Sequence, residues 1–152
     1  MDAPSSLSPQ ETARRHRLGL FAQCAPERLQ TAWPELPPHE LLRAPEIGTV
    51  MVQGRIGATQ EPFHLGEMTV TRASVQLESG EIGHAMVQGR DKTHALRAAC
   101  LDALAQNPRH AQATQSLIDT LAQEAAQAKA QKAAQAQATR VEFFTLIRGE
   151  DQ

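Results

Sequence analysis

The chain has 152 residues, a size at which roughly 68–70% of the unfolded surface is buried when one domain folds. Apolar residues make up 41% and aromatics only 3%, with no tyrosine, so the core must be aliphatic and a platform for stacking bases is excluded. A formal net charge of −2 gives no overall field that would draw the chain to nucleic acid or to anionic lipid.

Residues 1–7 read as a disordered lead-in without the basic and apolar regions of a secretory signal, and no apolar run approaches the ~20 residues of a membrane span. Cytoplasmic residence is therefore expected. Ser8-Pro9-Gln10-Glu11 is a helix start, with a serine cap, a proline at the first helical position and a glutamate completing a capping box. Leu18, Phe21 and Cys24 recur at helical spacing and predict one buried stripe. The turn Arg14-Arg15-His16-Arg17 reads as a solvated face, with nucleic-acid contact as the alternative. A second short helix is predicted from Pro26 to before Pro34, and Pro37-Pro38 ends regular structure.

The pattern changes between residues 40 and 90. Thr49–Gln53, Met68–Thr71 and Ile82–Val87 are β-rich runs bounded by glycines. Leu77–Ile82 reads as a hairpin connection in which Gly80 supplies the positive φ. Strands joined this tightly predict an antiparallel sheet. Arg72 interrupts the alternation begun by Met68 and Val70, which points to a nearby bulge or a strand end. Val50–Arg55 and Ala85–Arg90 echo one another, either as an internal duplication or as two strand ends where glycine lets the chain turn.

Asp91 caps a third helix with apolar positions Leu96, Ala99, Cys100, Ala103 and Leu104, and Asn107-Pro108 ends it. A fourth helix is expected over 109–138. It opens with Leu117, Ile118 and Leu121 and continues as an Ala/Gln-rich stretch with no large apolar residue. That stretch is either exposed to solvent, laid against a partner, or disordered as a low-complexity segment. The tail 140–149 holds two of the four phenylalanines. It reads as a strand that docks on this sheet or on a neighbouring chain, with Val141, Phe143, Phe144, Leu146 and Ile147 as the docking residues. The expected fold is α+β. Residues 8–150 form a single domain with an antiparallel sheet of about four to five strands, N-terminal helices and a long C-terminal helix.

Little in the chain carries chemistry. Its six histidines form no H-x-H or H-E-x-x-H group and Cys24 and Cys100 are far apart, so neither a metal site nor a disulfide is expected. Phosphate-binding glycine loops and a nucleophile elbow are missing. Gly89-Arg90-Asp91-Lys92 lies between a strand and a helix, where backbone N–H groups favour an anion. Arg90 and Lys92 would reinforce a phosphate there, unless Asp91 fills the same place as a helix cap.

The block from Pro45-Glu46-Ile47-Gly48 through Gly66–Arg72 to Val87–Lys92, with the tail Val141–Thr145 and Arg148-Gly149, resembles the PhnG family of the bacterial carbon–phosphorus lyase system. His64 stands where the common form has asparagine, and Gly57–Gln60 replaces a more glycine-rich stretch. The resemblance implies a subunit that acts with PhnH-, PhnI- and PhnL-type subunits. Together they form α-D-ribose 1-methylphosphonate 5-triphosphate from ATP and methylphosphonate with release of adenine. It also implies a core complex with PhnH-, PhnI-, PhnJ- and PhnK-type subunits, holding two copies of this chain. ATP is then a substrate of the complex, and no cofactor or metal belongs to this chain. Three roles follow: a non-catalytic scaffold, a co-catalytic subunit in which Arg72, Arg90 and Lys92 clamp triphosphate or phosphonate, or a stand-alone small-ligand or phosphate binding module. No catalytic residue is assigned.

Overall fold

The computed structural model describes residues 7–57 and 61–138. In chain order the elements are α1 (Pro9–Gln23), α2 (Pro26–Ala32), β1 (His39–Arg55), β2 (Pro62–Leu77), β3 (Ile82–Gln88), α3 (Lys92–Leu104) and α4 (Ala111–Ala138). The fold is α+β, as expected. The N-terminal capping box is present: Glu11 N donates to Ser8 Oγ (3.2 Å) and Ser8 N donates to the Glu11 carboxylate (2.8 Å). In the predicted stripe of α1, Phe21 is fully buried, while Leu18 and Cys24 are half-buried.

The sheet has three antiparallel strands among the described residues, in the order β1-β2-β3, which corrects the expected four to five. Glycines taken as strand boundaries lie inside strands: Gly48 and Gly54 in β1, Gly66 in β2. Two long strands thereby replace several short ones. The tail at 140–149, with Val141, Phe143, Phe144, Leu146 and Ile147, lies outside the described residues, as does the lead-in apart from Leu7. The β2–β3 turn forms as expected: Gly80 has φ +102°, and its N–H donates to Leu77 O (2.9 Å). The two echoing segments are both strand ends; β1 stops at Arg55, and β3 stops at Gln88 before Gly89 at φ +92°.

Arg72 is mid-strand, opposite Glu46 on β1 and Met86 on β3. The bulge inferred from it sits across the ladder. Between Arg43, opposite Ser74, and Glu46, opposite Arg72, β1 spends an additional residue. Pro45 falls in that interruption on an edge strand, one of the few places where a sheet tolerates a residue without an N–H.

Paired residues project from the same side of a sheet. Ala73, Val75, Leu77, Val87 and Gly83 form the inner face, which α3 covers with Ala95, Ala98, Ala99 and Ala103, all buried. Such a run of alanines lets the helix come very close; a Cβ on Gly83 would lie 1.9 Å from Ala99 O. α1 contacts both α3 and β3. Asp102 on α3, wholly buried, binds Arg14 Nη2 (2.7 Å), Arg17 Nη2 (3.0 Å) and the backbone N–H of His84 (3.1 Å). One carboxylate thus ties a helix, a second helix and an edge strand together. The basic turn is therefore only half a solvated face. Arg15 and His16 are exposed, while Arg14 and Arg17 hold the fold. Buried His94 adds a second tie, donating from Nε2 to Phe21 O (2.7 Å).

Two segments extend past this core. β3 pairs with β2 only from Val70 to Gln76, so Val50–Arg55 and Pro62–Met68 continue as a two-stranded arm. The arm exposes Met51 (59%), Phe63 (40%) and Leu65 (68%). The helix expected over 109–138 forms from Ala111 to Ala138. It buries Thr114, Ile118 and Leu121, and every residue from Gln123 onward is exposed. At 1.5 Å per residue that exposed part is about 24 Å long.

Candidate functional site

The outer sheet face carries the even-numbered side chains of β2 with their partners on either side. A cleft of about 490 Å³ opens there, between the sheet and α1. Its polar wall is Arg43 of β1, Arg72 and Ser74 of β2, and His84 of β3; Leu18 and Ala22 of α1, with Met86 of β3, form an apolar wall. The volume falls in the range of small-molecule sites.

Glu46 organises the arginines. Arg43 Nη1 and Arg72 Nη2 both donate to the same oxygen, Glu46 Oε1, with 3.0 Å from Arg72. The hydrogen bond from Arg43, then the charges of Arg43 and Arg72, hold the Glu46 carboxyl below the usual carboxylate range. Arg72 Nε is buried with no hydrogen-bond partner. Beside this trio, Ser74 Oγ and His84 Nδ1 are 2.8 Å apart. If the hydroxyl donates to Nδ1, the imidazole proton is on Nε2.

The three predicted contact residues do not share one place. Arg72 lines the cleft. Arg90 and Lys92 are exposed at the turn from β3 to α3. Arg72 is opposite Met86 in mid-strand, whereas Arg90 lies beyond the end of β3 at Gln88, past the turn at Gly89. At that turn Asp91 acts as the helix cap, accepting from His94 N (2.8 Å). Thr71 Oγ1 donates to Gly89 O (2.8 Å) and pins the turn to β2.

Arg43, Glu46, Ser74 and His84 escaped the sequence reading because they come from three strands and meet only through register. The available signal was the polar alternation Arg72-Ser74-Gln76 on a strand whose odd positions are apolar. Burial pushes the thiols of Cys24 and Cys100 up to about 11, so neither is a nucleophile at neutral pH. Among the described residues no three His, Cys, Asp or Glu side chains form a metal-binding group. No described helix is long and apolar enough to cross a membrane.

Residues 12–149 match the family described as phosphonate metabolism protein PhnG. The chain is also 41% identical over 158 aligned positions to the α-D-ribose 1-methylphosphonate 5-triphosphate synthase subunit PhnG of Rhizobium meliloti (strain 1021), and the alignment covers 99% of both chains. The protein belongs to the PhnG family.

Proposed function

We propose that this chain is a subunit of an α-D-ribose 1-methylphosphonate 5-triphosphate synthase in phosphonate catabolism, serving chiefly as a scaffold for the subunit that performs ribosyl transfer. The reaction of the assembly joins ATP and methylphosphonate at the ribose C1 and releases adenine. The partners are PhnH-, PhnI-, PhnJ-, PhnK- and PhnL-type subunits in the cytoplasm, with two copies of this chain in the core. The relative carries the name of a synthase subunit over essentially its whole length. The observation that carries the scaffold role is the two-stranded arm. An isolated hairpin is at best marginally stable in water, yet this one extends past the core with Met51, Phe63 and Leu65 exposed. A partner that buries a large side chain of this kind gains about 1.5–3 kcal/mol from it. The tail residues Val141, Phe143, Phe144, Leu146 and Ile147 are proposed as a second docking element.

Co-expression with the other subunits tests the reading. The chain is expected to co-purify with them and to be needed for ribosyl transfer. Recovery as a solitary monomer, with transfer proceeding in its absence, overturns the proposal. Arg90 and Lys92 are proposed contacts for an anionic group of substrate at a place separate from Arg72. Changing both to alanine is expected to weaken ATP affinity by about 1.5–3 kcal/mol for each charged hydrogen bond lost while the complex stays intact. Unchanged affinity removes them from the substrate's surroundings.

A further inference from the structure

Arg43 and Arg72 are underused where they stand. Each guanidinium has five N–H donors. Yet the hydrogen bonds of both converge on a single oxygen of Glu46, and Arg72 Nε is buried with none. Glu46 itself is 47% exposed, so its carboxylate can swing away without leaving a buried charge. With it in place the trio retains one positive charge. A planar carboxylate meeting two guanidinium groups through one oxygen is a poor match for that donor array. A tetrahedral oxyanion offers three oxygens and could engage both arginines at once. Ser74 and His84 line the same cleft and add further hydrogen-bonding groups. Leu18 and Ala22 of α1, with Met86 beside Arg72 on the sheet, add an apolar lining, which suits a compact organic group attached to the anion.

We propose that this cleft is an oxyanion site for a phosphonate or phosphate group. In it Arg43 and Arg72 are the binding residues, and Glu46 is a built-in competitor that occupies them when the site is empty. The proposal deepens the functional reading above and rests on it for the ligand class. An alkylphosphonate and the phosphates of a nucleotide share the required chemistry.

The test titrates the full-length chain with methylphosphonate, and separately with magnesium-free ATP, while phosphorus NMR follows the ligand. Saturable line-broadening by one or both is expected, and the better ligand identifies the source of the oxyanion. Arg72→Gln and Arg43→Gln should each raise Kd by about tenfold or more, the loss of a charge-assisted hydrogen bond. Glu46→Gln should lower Kd severalfold because it removes the competitor. That opposite sign is one a purely structural ion-pair network does not produce. Replacing Lys129 and Lys132 on α4 with glutamine should leave Kd unchanged. The site is refuted if neither ligand broadens at millimolar concentration, if Glu46→Gln weakens binding as the arginine changes do, or if the α4 control weakens it equally. Its failure is distinguishable from failure of the subunit reading. An assembled, active complex whose isolated chain binds neither ligand sinks only this site, whereas a chain that binds oxyanion but joins no complex sinks only the other.

Discussion

Replacing Gly83 by alanine adds a single methyl group at the closest approach between β3 and α3. The new Cβ would stand 1.9 Å from Ala99 O, 2.7 Å from Ala103 N and 2.9 Å from Ala103 Cβ, where ordinary contact begins at 3.4 Å. Two of these three atoms are backbone, so no rotamer change relieves the clash, and strand and helix must separate by about 1.5 Å. The separation would open the interface made by Ala95, Ala98, Ala99 and Ala103, whose short side chains cannot refill it. A radial gap of only 0.5–1 Å forfeits roughly a quarter to a half of each dispersion contact. Overpacking usually costs about 1–3 kcal/mol, and a backbone obstruction belongs at the top of that range. At about 2–4 °C per kcal/mol for a chain of this size, thermal unfolding followed by circular dichroism should show Tm falling by about 6–12 °C. Gly19→Ala is the internal control. Its Cβ would meet nothing nearer than 4.0 Å, and an alanine within α1 should stabilise by about 0.5–1 kcal/mol. A Gly83→Ala protein that melts within 2 °C of the parent, as judged by the same assay with its error near that value, would refute the claim that glycine is required there by close approach.

Asp102→Asn should destabilise by about 2–4 kcal/mol in denaturant titration, somewhat under the cost of breaking a fully buried pair, because Arg14 and Arg17 retain partial access to water. A loss below about 1 kcal/mol would contradict the role given to that carboxylate. Cys24 and Cys100 have thiols raised from 9.0 to about 11. The folded state thus holds their protons more tightly, and the stability they contribute is complete below pH 9 and lost as pH climbs toward 11. Alkylation by iodoacetamide at pH 8 should be far slower than for an unfolded control; equal rates would show that the thiols are not shielded. Leu65→Ser with Met51→Ser should leave the chain's own Tm nearly unchanged, since both are exposed. The same pair should reduce co-purification with the other synthase subunits. Retained association would remove the arm from the interface.

The helices were legible because their signals are local. Ser8 and Glu11 cap α1 within four consecutive residues, Asp91 caps α3, Gly80 makes the β2–β3 turn, and Ala and Gln propensity carries α4 to Ala138. Strand extent was less legible. Glycine interrupts a local β pattern, yet neighbouring strands can hold it in a ladder, as they do at Gly48, Gly54 and Gly66. The roles of charged residues were the least legible, because an ion pair depends on distance in space. Arg14 and Arg17 find Asp102 85 or more positions away, and Arg72 meets Glu46 across 26. Local chemistry determined which segments would be helix or strand. Only tertiary packing decided which arginines hold the fold and which line a cleft, since register and helix placement set those distances.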